Sequence, residues 1–345
     1  MVLRSRPIRK RLRILAILGD QTGCEIYRVK IPFTALRRNG YDAHWIDQSK
    51  MAYLSGEDYD IIILPRMIPS EKDVLQVIQL AQDNGVKFIF ESDDDLTNTY
   101  REVVEAEAYE LMMSLLHQCD AVTVSTPYLN KLYGEGKPSF VLPNHVNLAD
   151  WSPFLDTRKD DSLTIGITGS QTHDKDWEQL IEPLHCIADK YKDVHFFFGG
   201  YVPEYFRDLP RVTYYDGFLS YDKYPGAIRQ IDIGLAAVNN DPFNLGKSGI
   251  KAVEYMASVR KVGKSFGGAV PVVSNHPIYR RVVNNRHNGI LVSDNNWYSV
   301  LAEVIEDKKF RERLSLNGYK WVRKNRSTDV CVHQWAQTYI QVYRL

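Results

Sequence analysis

Towards the C-terminal end of the chain, a polar stretch carries residue types suited to holding a phosphate: Asn239-Asn240-Asp241-Pro242-Phe243-Asn244-Leu245-Gly246-Lys247-Ser248-Gly249. It leaves an apolar run at 231–237 and delivers Gly246, Lys247, Ser248 and Gly249 to the start of a helical pattern at 248–258. Backbone N–H groups at a helix start, reinforced by the helix dipole, form an anion site. Lys247 adds a mobile positive charge suited to a diphosphate. Glu254 lies two turns further on, where a carboxylate accepts hydrogen bonds from ribose hydroxyls. The plain alternative is a capped helix with a surface Lys and a surface Glu.

A second group of polar residues, Gly169-Ser170-Gln171-Thr172-His173-Asp174-Lys175-Asp176, follows another apolar run at 163–167. A Gly-Ser turn lets backbone approach a ligand closely, and Ser170 and His173 can hydrogen-bond a phosphate or a sugar. The competing reading is a helix cap by Thr172 or Asp174. A third group, Glu91-Ser92-Asp93-Asp94-Asp95, closes the apolar run 86–90. Adjacent carboxylates repel one another unless something uses them. Three readings compete: an N-cap cluster, a divalent-metal site, and a pair, Asp93 and Asp94, that contacts an acceptor or reacting sugar. The last is preferred, and no metal is assigned. A Gly loop at 19–23, ending in Gly23, is followed by Glu25 and Arg28; it lacks the GxGxxG spacing of a dinucleotide site. Arg28 is expected to face a ligand or to pair with Glu25 or Asp20 at the surface.

The elements that position these groups repeat as strand, loop, helix. Strands are expected at 12–18, 42–47, 60–64, 86–90 and 121–124, with helices at 70–84 and 104–118 between them. A connector at 138–150 and a polar break at Lys159-Asp160-Asp161 come next. The pattern restarts with strands at 163–167, 194–198, 212–215, 231–237, 270–273 and 290–292. Short apolar strands alternating with helices mark a doubly wound parallel sheet, and ligands bind such sheets at the carboxyl ends of their strands. The 345 residues are too many for one typical core and fit two α/β domains with a cleft between them. The division expected is 1–150 and 151–327, with a C-terminal helix at 328–345 packing back on the first domain.

Composition excludes more than it selects. Hydrophobic residues at 44% and charged residues at 25% are those of an ordinary globular chain, and Lys+Arg and Asp+Glu are equal at 43, so net charge favours no nucleic-acid or membrane partner. A basic leader, Arg4 to Arg13, reads as a solvated segment, with an anion-steering patch as the alternative. Cys24, Cys119, Cys186 and Cys331 show no CxxC spacing, so reduced thiols in a cytoplasmic protein are expected, with neither a disulfide framework nor a zinc site. No apolar run reaches the ~20 residues of a membrane span, and no signal peptide is read; peripheral membrane contact stays open. The segment 258–269 is basic and Gly-rich and reads as a mobile surface insertion.

The stretch 243–257, with Val270-Pro271-Val272-Val273-Ser274 and Asn288-Gly289-Ile290-Leu291-Val292, resembles the donor-binding half of retaining glycosyltransferase family 4. The resemblance implies the GT-B fold: two Rossmann-like, doubly wound α/β domains facing across a cleft. Glu254 matches the second glutamate of that family's two-glutamate motif, the one that holds the donor ribose. The first would fall at Gly246, a departure that leaves its role at the donor sugar without a counterpart. Lys247-Ser248 and the Gly-Ser-x-Thr-His-x-x-Asp sequence at 169–176 are similar to one branch of the family. The His that many members carry near 91–95 is absent.

What the resemblance implies is transfer of a sugar from a nucleoside-diphosphate sugar, UDP- or GDP-linked, to an acceptor hydroxyl with retention, and with no cofactor required. Lys247, Asp93 and Asp94 are the catalytic candidates. Gly23, Gly169, Ser170, His173, Gly246, Ser248, Gly249 and Glu254 are the donor-binding candidates. A glycan or polysaccharide is the expected acceptor, with hydroxylated DNA bases as the subordinate alternative. A non-catalytic sugar-nucleotide-binding module and a nucleotide-sugar epimerase are the competing functions.

Overall fold

The computed structural model describes residues 11–19, 23–53, 58–65, 75, 78–79, 83–99, 106–151, 162–217, 219–262 and 265–345. Most of the basic leader, Asp20 to Thr22, most of the expected helix 70–84, the start of the expected helix 104–118, the break at 159–161 and Gly263-Lys264 lie outside them. The chain forms two compact units, one of residues 1–144 with Cys331–Leu345, the other of His145–Val330.

The first unit is built on six strands: β1 (Arg13–Leu18), β2 (Asp42–Asp47), β3 (Ile61–Pro65), β4 (Lys87–Ser92), β5 (Ala121–Val124) and β6 (Ser139–Val141). They pair in parallel in the order β2-β1-β3-β4-β5-β6. Successive side chains of a strand point to opposite faces, and here both faces are covered. Leu15, Ile17, Ile62, Leu64, Phe88 and Phe90 pack against Met112, Leu115 and Leu116 of the helix Ala106–Gln118. Ile14, Ala16, Ile61, Ile63 and Ile89 pack against Phe33 and Leu36, and against Trp335, Tyr339 and Val342 of the C-terminal helix Thr328–Tyr343. Burial on both faces explains why these strands read as unbroken apolar runs. β6 falls inside the expected connector 138–150; three half-buried residues at a sheet edge leave too short a pattern to read.

After β1, Gly23–Glu25 opens a helix that widens to a π-turn over Ile26–Lys30, where Ile31 N–H reaches the Ile26 carbonyl. Pro32 follows in the first turn of the helix Ile31–Arg38. Having no N–H, it cannot continue the α-helical ladder, and the turn before it takes the looser spacing typical of such bulges.

The second unit is built on β7 (Leu163–Gly169), β8 (Val194–Gly200), β9 (Val212–Asp216), β10 (Ile233–Ala236), a hairpin of β11 (Arg260–Val262) and β12 (Ser265–Gly267), then β13 (Val270–Ser274) and β14 (Ile290–Val292). Its six-stranded parallel sheet runs β14-β13-β10-β7-β8-β9. The chain proceeds from β7 outward to β9, then returns to lay β10 on the other side of β7. That reversal makes the carboxyl ends of β7 and β10 the topological switch point, where α/β sheets bind ligands.

Within the segment 258–269, Arg260–Val262 pairs antiparallel with Ser265–Gly267, and the described residues are anchored at both ends. Val259 and Ala269 are buried, Arg260 is paired with Asp232, and the Gly268 carbonyl accepts from Ser315 Oγ at 2.6 Å. A Cβ on Gly268 would lie 2.1 Å from the Met256 carbonyl oxygen, so glycine is needed where the hairpin rejoins the core.

Candidate functional site

Gly169, Ser170, His173, Gly246, Lys247, Ser248, Gly249 and Glu254 all lie in the second unit, and the first seven sit on the two loops at its switch point. β7 ends at Gly169. A Cβ there would come 2.9 Å from the Trp177 ring, so ring packing by itself requires glycine. Ser170 is exposed, with its hydroxyl 2.7 Å from that of Thr172. Neither Thr172 nor Asp174 caps a helix: the Asp174–Trp177 helix is preceded by His173, which makes no side-chain cap. The His173 ring stacks on Trp177 at 6.3 Å between centroids and meets Phe243 at 6.2 Å.

On the other loop, Asp241 caps the short helix Pro242–Gly246, accepting the Asn244 N–H at 2.8 Å. Asp favours this place because its short carboxylate satisfies an N–H that the helix leaves without a partner. Lys247 is the residue that ends this helix, and its ammonium lies 4.4 Å above the Phe243 ring. Through Phe243, the cation and the His173 imidazole share one corner. The next helix is Ile250–Ala257, shorter at its start than the 248–258 pattern. Its N-cap is Gly249, which supplies no capping side chain. A Cβ on Gly249 would sit 2.8 Å from the Ile278 carbonyl oxygen and 2.9 Å from Val282.

The two loops are tied by one carboxylate. Asp176 is 3% exposed, and its Oδ1 accepts the Asn239 backbone N–H at 2.8 Å and Asn244 Nδ2 at 2.9 Å. Its Oδ2 lies 2.8 Å from His173 Nδ1. A cavity of about 350 Å³ opens between the segment 171–176 and Asp241, Phe243 and Asn244.

Glu254 is 1% exposed, not a surface residue. Its Oε2 accepts the Tyr224 hydroxyl at 2.7 Å and the Lys251 ammonium at 3.1 Å. Burial, then the Glu254 charge, pushes the Tyr224 phenol well above its usual pKa, keeping it a donor. Trp151 packs edge-on to Tyr224 at 6.1 Å. An ionised carboxylate has about four acceptor positions, so a ribose hydroxyl would have to join these two partners. Asp176 closes the Gly-Ser-x-Thr-His-x-x-Asp sequence, which does not show its contact with the loop after β10; Tyr224 and Lys251 were not singled out from the sequence. The contacts of Asp176 with Asn239 and Asn244, and of Tyr224 with Lys251 and Glu254, run across 27 to 68 positions, which no local pattern carries.

In the first unit the acidic run 91–95 divides its charges. Glu91 turns inward and accepts from Arg28 Nε at 2.7 Å and from Thr123. Arg28 is buried, not at the surface; it also donates to Leu142 O and to Asn144 Oδ1 at 2.8 Å, and lies 4.9 Å over the Trp335 ring. Its pairing with Glu91 replaces the expected contacts with Glu25 or Asp20. A guanidinium buried this deeply requires a carboxylate, and Glu91 is the one that the strand directs inward. Asp95 accepts from Thr97 and, at 2.9 Å, from the Tyr128 hydroxyl. That is the capping role for the helix Leu96–Thr99. Asp94 is buried and Asp93 half-buried. Their carboxylates and the Cys24 thiol next to Gly23 lie within 4.8 Å of one another. A cation could be held there, although such groups are common without one. No disulfide joins the four cysteines. Among the described residues, no helix is long and apolar enough to cross a membrane.

No family model matches the chain, and no curated protein matches it in sequence. Solved structures do. HepE of Anabaena, in complexes with UDP and glucose and with UDP-glucose, is 13% identical over 96% of this chain and 100% of its own, with TM-scores of 0.68 and 0.69. A glycosyltransferase from Rickettsia africae is 13% identical over 97% of this chain and 99% of its own, with a TM-score of 0.68. A protein assigned as a UDP-N-acetylglucosamine 2-epimerase from Listeria monocytogenes is 10% identical over 94% and 95%, with a TM-score of 0.59. At such identities the likeness establishes the fold. It is the α/β fold with two Rossmann-like sheets, known as GT-B.

Proposed function

We propose that the chain is a glycosyltransferase that moves a sugar from a UDP-sugar to a glycan hydroxyl with retention of configuration, using a donor site at the switch point of the second unit. One observation carries the reading. The ammonium of Lys247, the imidazole of His173 and the start of the helix Ile250–Ala257, which has no side-chain cap, belong to two loops that Asp176 binds together.

A leaving diphosphate needs positive charge and N–H donors fixed in advance of the reaction. Lys247 supplies the charge, while Ser248, Gly249 and the helix start supply the N–H groups. Gly169, Ser170 and Gly246 leave room for close approach. Glu254 takes the ribose hydroxyls. Asp93 and Asp94 orient the acceptor hydroxyl in the first unit, and Gly23 keeps the donor-binding role read from the sequence. The donor base is uracil by analogy with HepE, whose complexes contain UDP and UDP-glucose.

The decisive experiment is a panel of nucleoside diphosphates in a thermal-shift assay, followed by turnover of the matching sugar nucleotides. A ligand at one hundred times its Kd stabilises the native state by about 2.7 kcal/mol. UDP is expected to raise Tm and GDP, ADP and TDP to do so less. Lys247→Ala is expected to lower turnover about 10²- to 10³-fold, the scale for removing one preorganised charge-stabilising group, with unchanged circular dichroism. Activity near wild type would remove Lys247 from the site. Conversion of the sugar nucleotide to an isomer without any acceptor would favour an epimerase instead.

A further inference from the structure

We infer that Asp176 is the positioning residue of the donor site: it sets the tautomer of His173 and holds that ring in a fixed relation to Lys247. The inference rests on the donor-site reading above and extends it to a residue that need not touch the ligand.

An ionised carboxylate has no proton to donate and can only accept hydrogen bonds. Asp176 is 3% exposed, and an ionised group so placed is tolerated only when donors surround it. Two of them are on the loop after β10, the Asn239 N–H at 2.8 Å and Asn244 Nδ2 at 2.9 Å, both to Oδ1. The third is His173 Nδ1, 2.8 Å from Oδ2. Because Oδ2 can only accept, the proton between them resides on Nδ1. Nε2 is then the ring nitrogen left for a ligand, as an acceptor in the neutral ring and as a donor in the imidazolium. A carboxylate behind a histidine fixes ring orientation and tautomer in this way in other sites.

The lock extends to Lys247. Asn244 Nδ2 also reaches Asp241 Oδ2 at 3.1 Å, and Asp241 caps the helix that ends at Lys247. Asp176 therefore spans β7 and β10 at the point where the chain reverses. Loss of its acceptors would free His173 to rotate and the Pro242–Gly246 helix to shift. Asp176→Asn separates these effects. Its amide oxygen keeps an acceptor for Asn239 and Asn244, but its NH₂ faces Nδ1, which must then accept. The ring proton moves to Nε2.

The test uses the full chain labelled with ¹⁵N-histidine, with the His173 signals assigned by their loss in His173→Gln. Wild type is expected to show the Nδ1–H tautomer, or the doubly protonated ring, and Asp176→Asn the Nε2–H tautomer. In steady-state assays, Asp176→Asn is expected to lower kcat/KM for the sugar nucleotide about 10- to 100-fold, the usual cost of losing a partner that orients a binding group. In a His173→Ala background the same change should cost less than about threefold, because the interaction it disrupts is already gone. An Nε2–H tautomer in wild type, or fully additive losses in the double variant, would overturn the proposal. Absence of UDP binding by wild type would defeat the donor-site reading instead, and the tautomer measurement would still decide the role of Asp176.

Discussion

His276 follows β13, is 3% exposed, and caps the helix Pro277–Arg280 by accepting the Ile278 N–H at Nδ1. Its Nε2 is buried and makes no hydrogen bond among the described residues. Burial lowers its pKa below the ordinary 6.5, Arg280 and Arg281 acting in the same direction and Asp241 and Asp176 against it. The unfolded chain therefore takes up a proton that the folded His276 resists. The neutral ring carries no penalty above about pH 6.5; stability is lost as the pH falls from there through the lowered folded-state value. Tm is expected to drop more between about pH 7.5 and pH 5.5 in wild type than in His276→Asn, which keeps a capping acceptor and does not titrate. Equal drops would show that the pH dependence arises elsewhere. At this scale the sequence displays residue types but does not assign their roles. Within the run Glu91–Asp95, Glu91 became the counter-ion of Arg28, 63 positions away, and Asp95 a helix cap. Adjacent acids look alike in sequence, and strand direction and the following turn assign each its task.

Among the elements, the start of the helix Ile250–Ala257 is fixed by close packing as much as by any ligand. Gly249 has no room for a methyl group against Ile278 and Val282. Gly249→Ala is expected to cost about 1–3 kcal/mol, the scale for overpacking a tight contact, read from the midpoint of urea unfolding. Because the same shift moves the N–H groups of the helix start, the thermal stabilisation by UDP should weaken alongside. An unchanged midpoint would mean that the neighbouring helix yields freely. The strands were legible because both sheet faces are apolar and each run is bounded by Gly or polar turns. β6 and the β11–β12 hairpin were not. The first is three half-buried residues long, and the second is pinned by Arg260 to Asp232, a contact across 28 positions.

For the whole molecule, the chain builds the first unit to Asn144, forms the second, and returns to the first with Cys331–Leu345. Trp335, Tyr339 and Val342, each no more than 1% exposed, cover the sheet face that carries Ile14, Ile61 and Ile63. Deleting residues 331–345 is expected to remove on the order of 5 kcal/mol or more from the first unit, judging from the 3–5 kcal/mol that loss of one large aromatic costs. Hydrogen exchange should then show faster exchange in β1 and β3, while β7 and β10 keep their protection. Uniform loss in both sheets would contradict the division. By itself the sequence determined two rounds of parallel α/β winding and the loops at the strand ends, because side-chain periodicity and turn residues are local properties. Only the tertiary structure decided that Asp176 meets Asn244, that Glu254 meets Tyr224, and that Arg28 lies beneath Trp335. Those meetings depend on the order in which strands assemble, and strand order is set by the packing of whole faces rather than by any neighbouring residue.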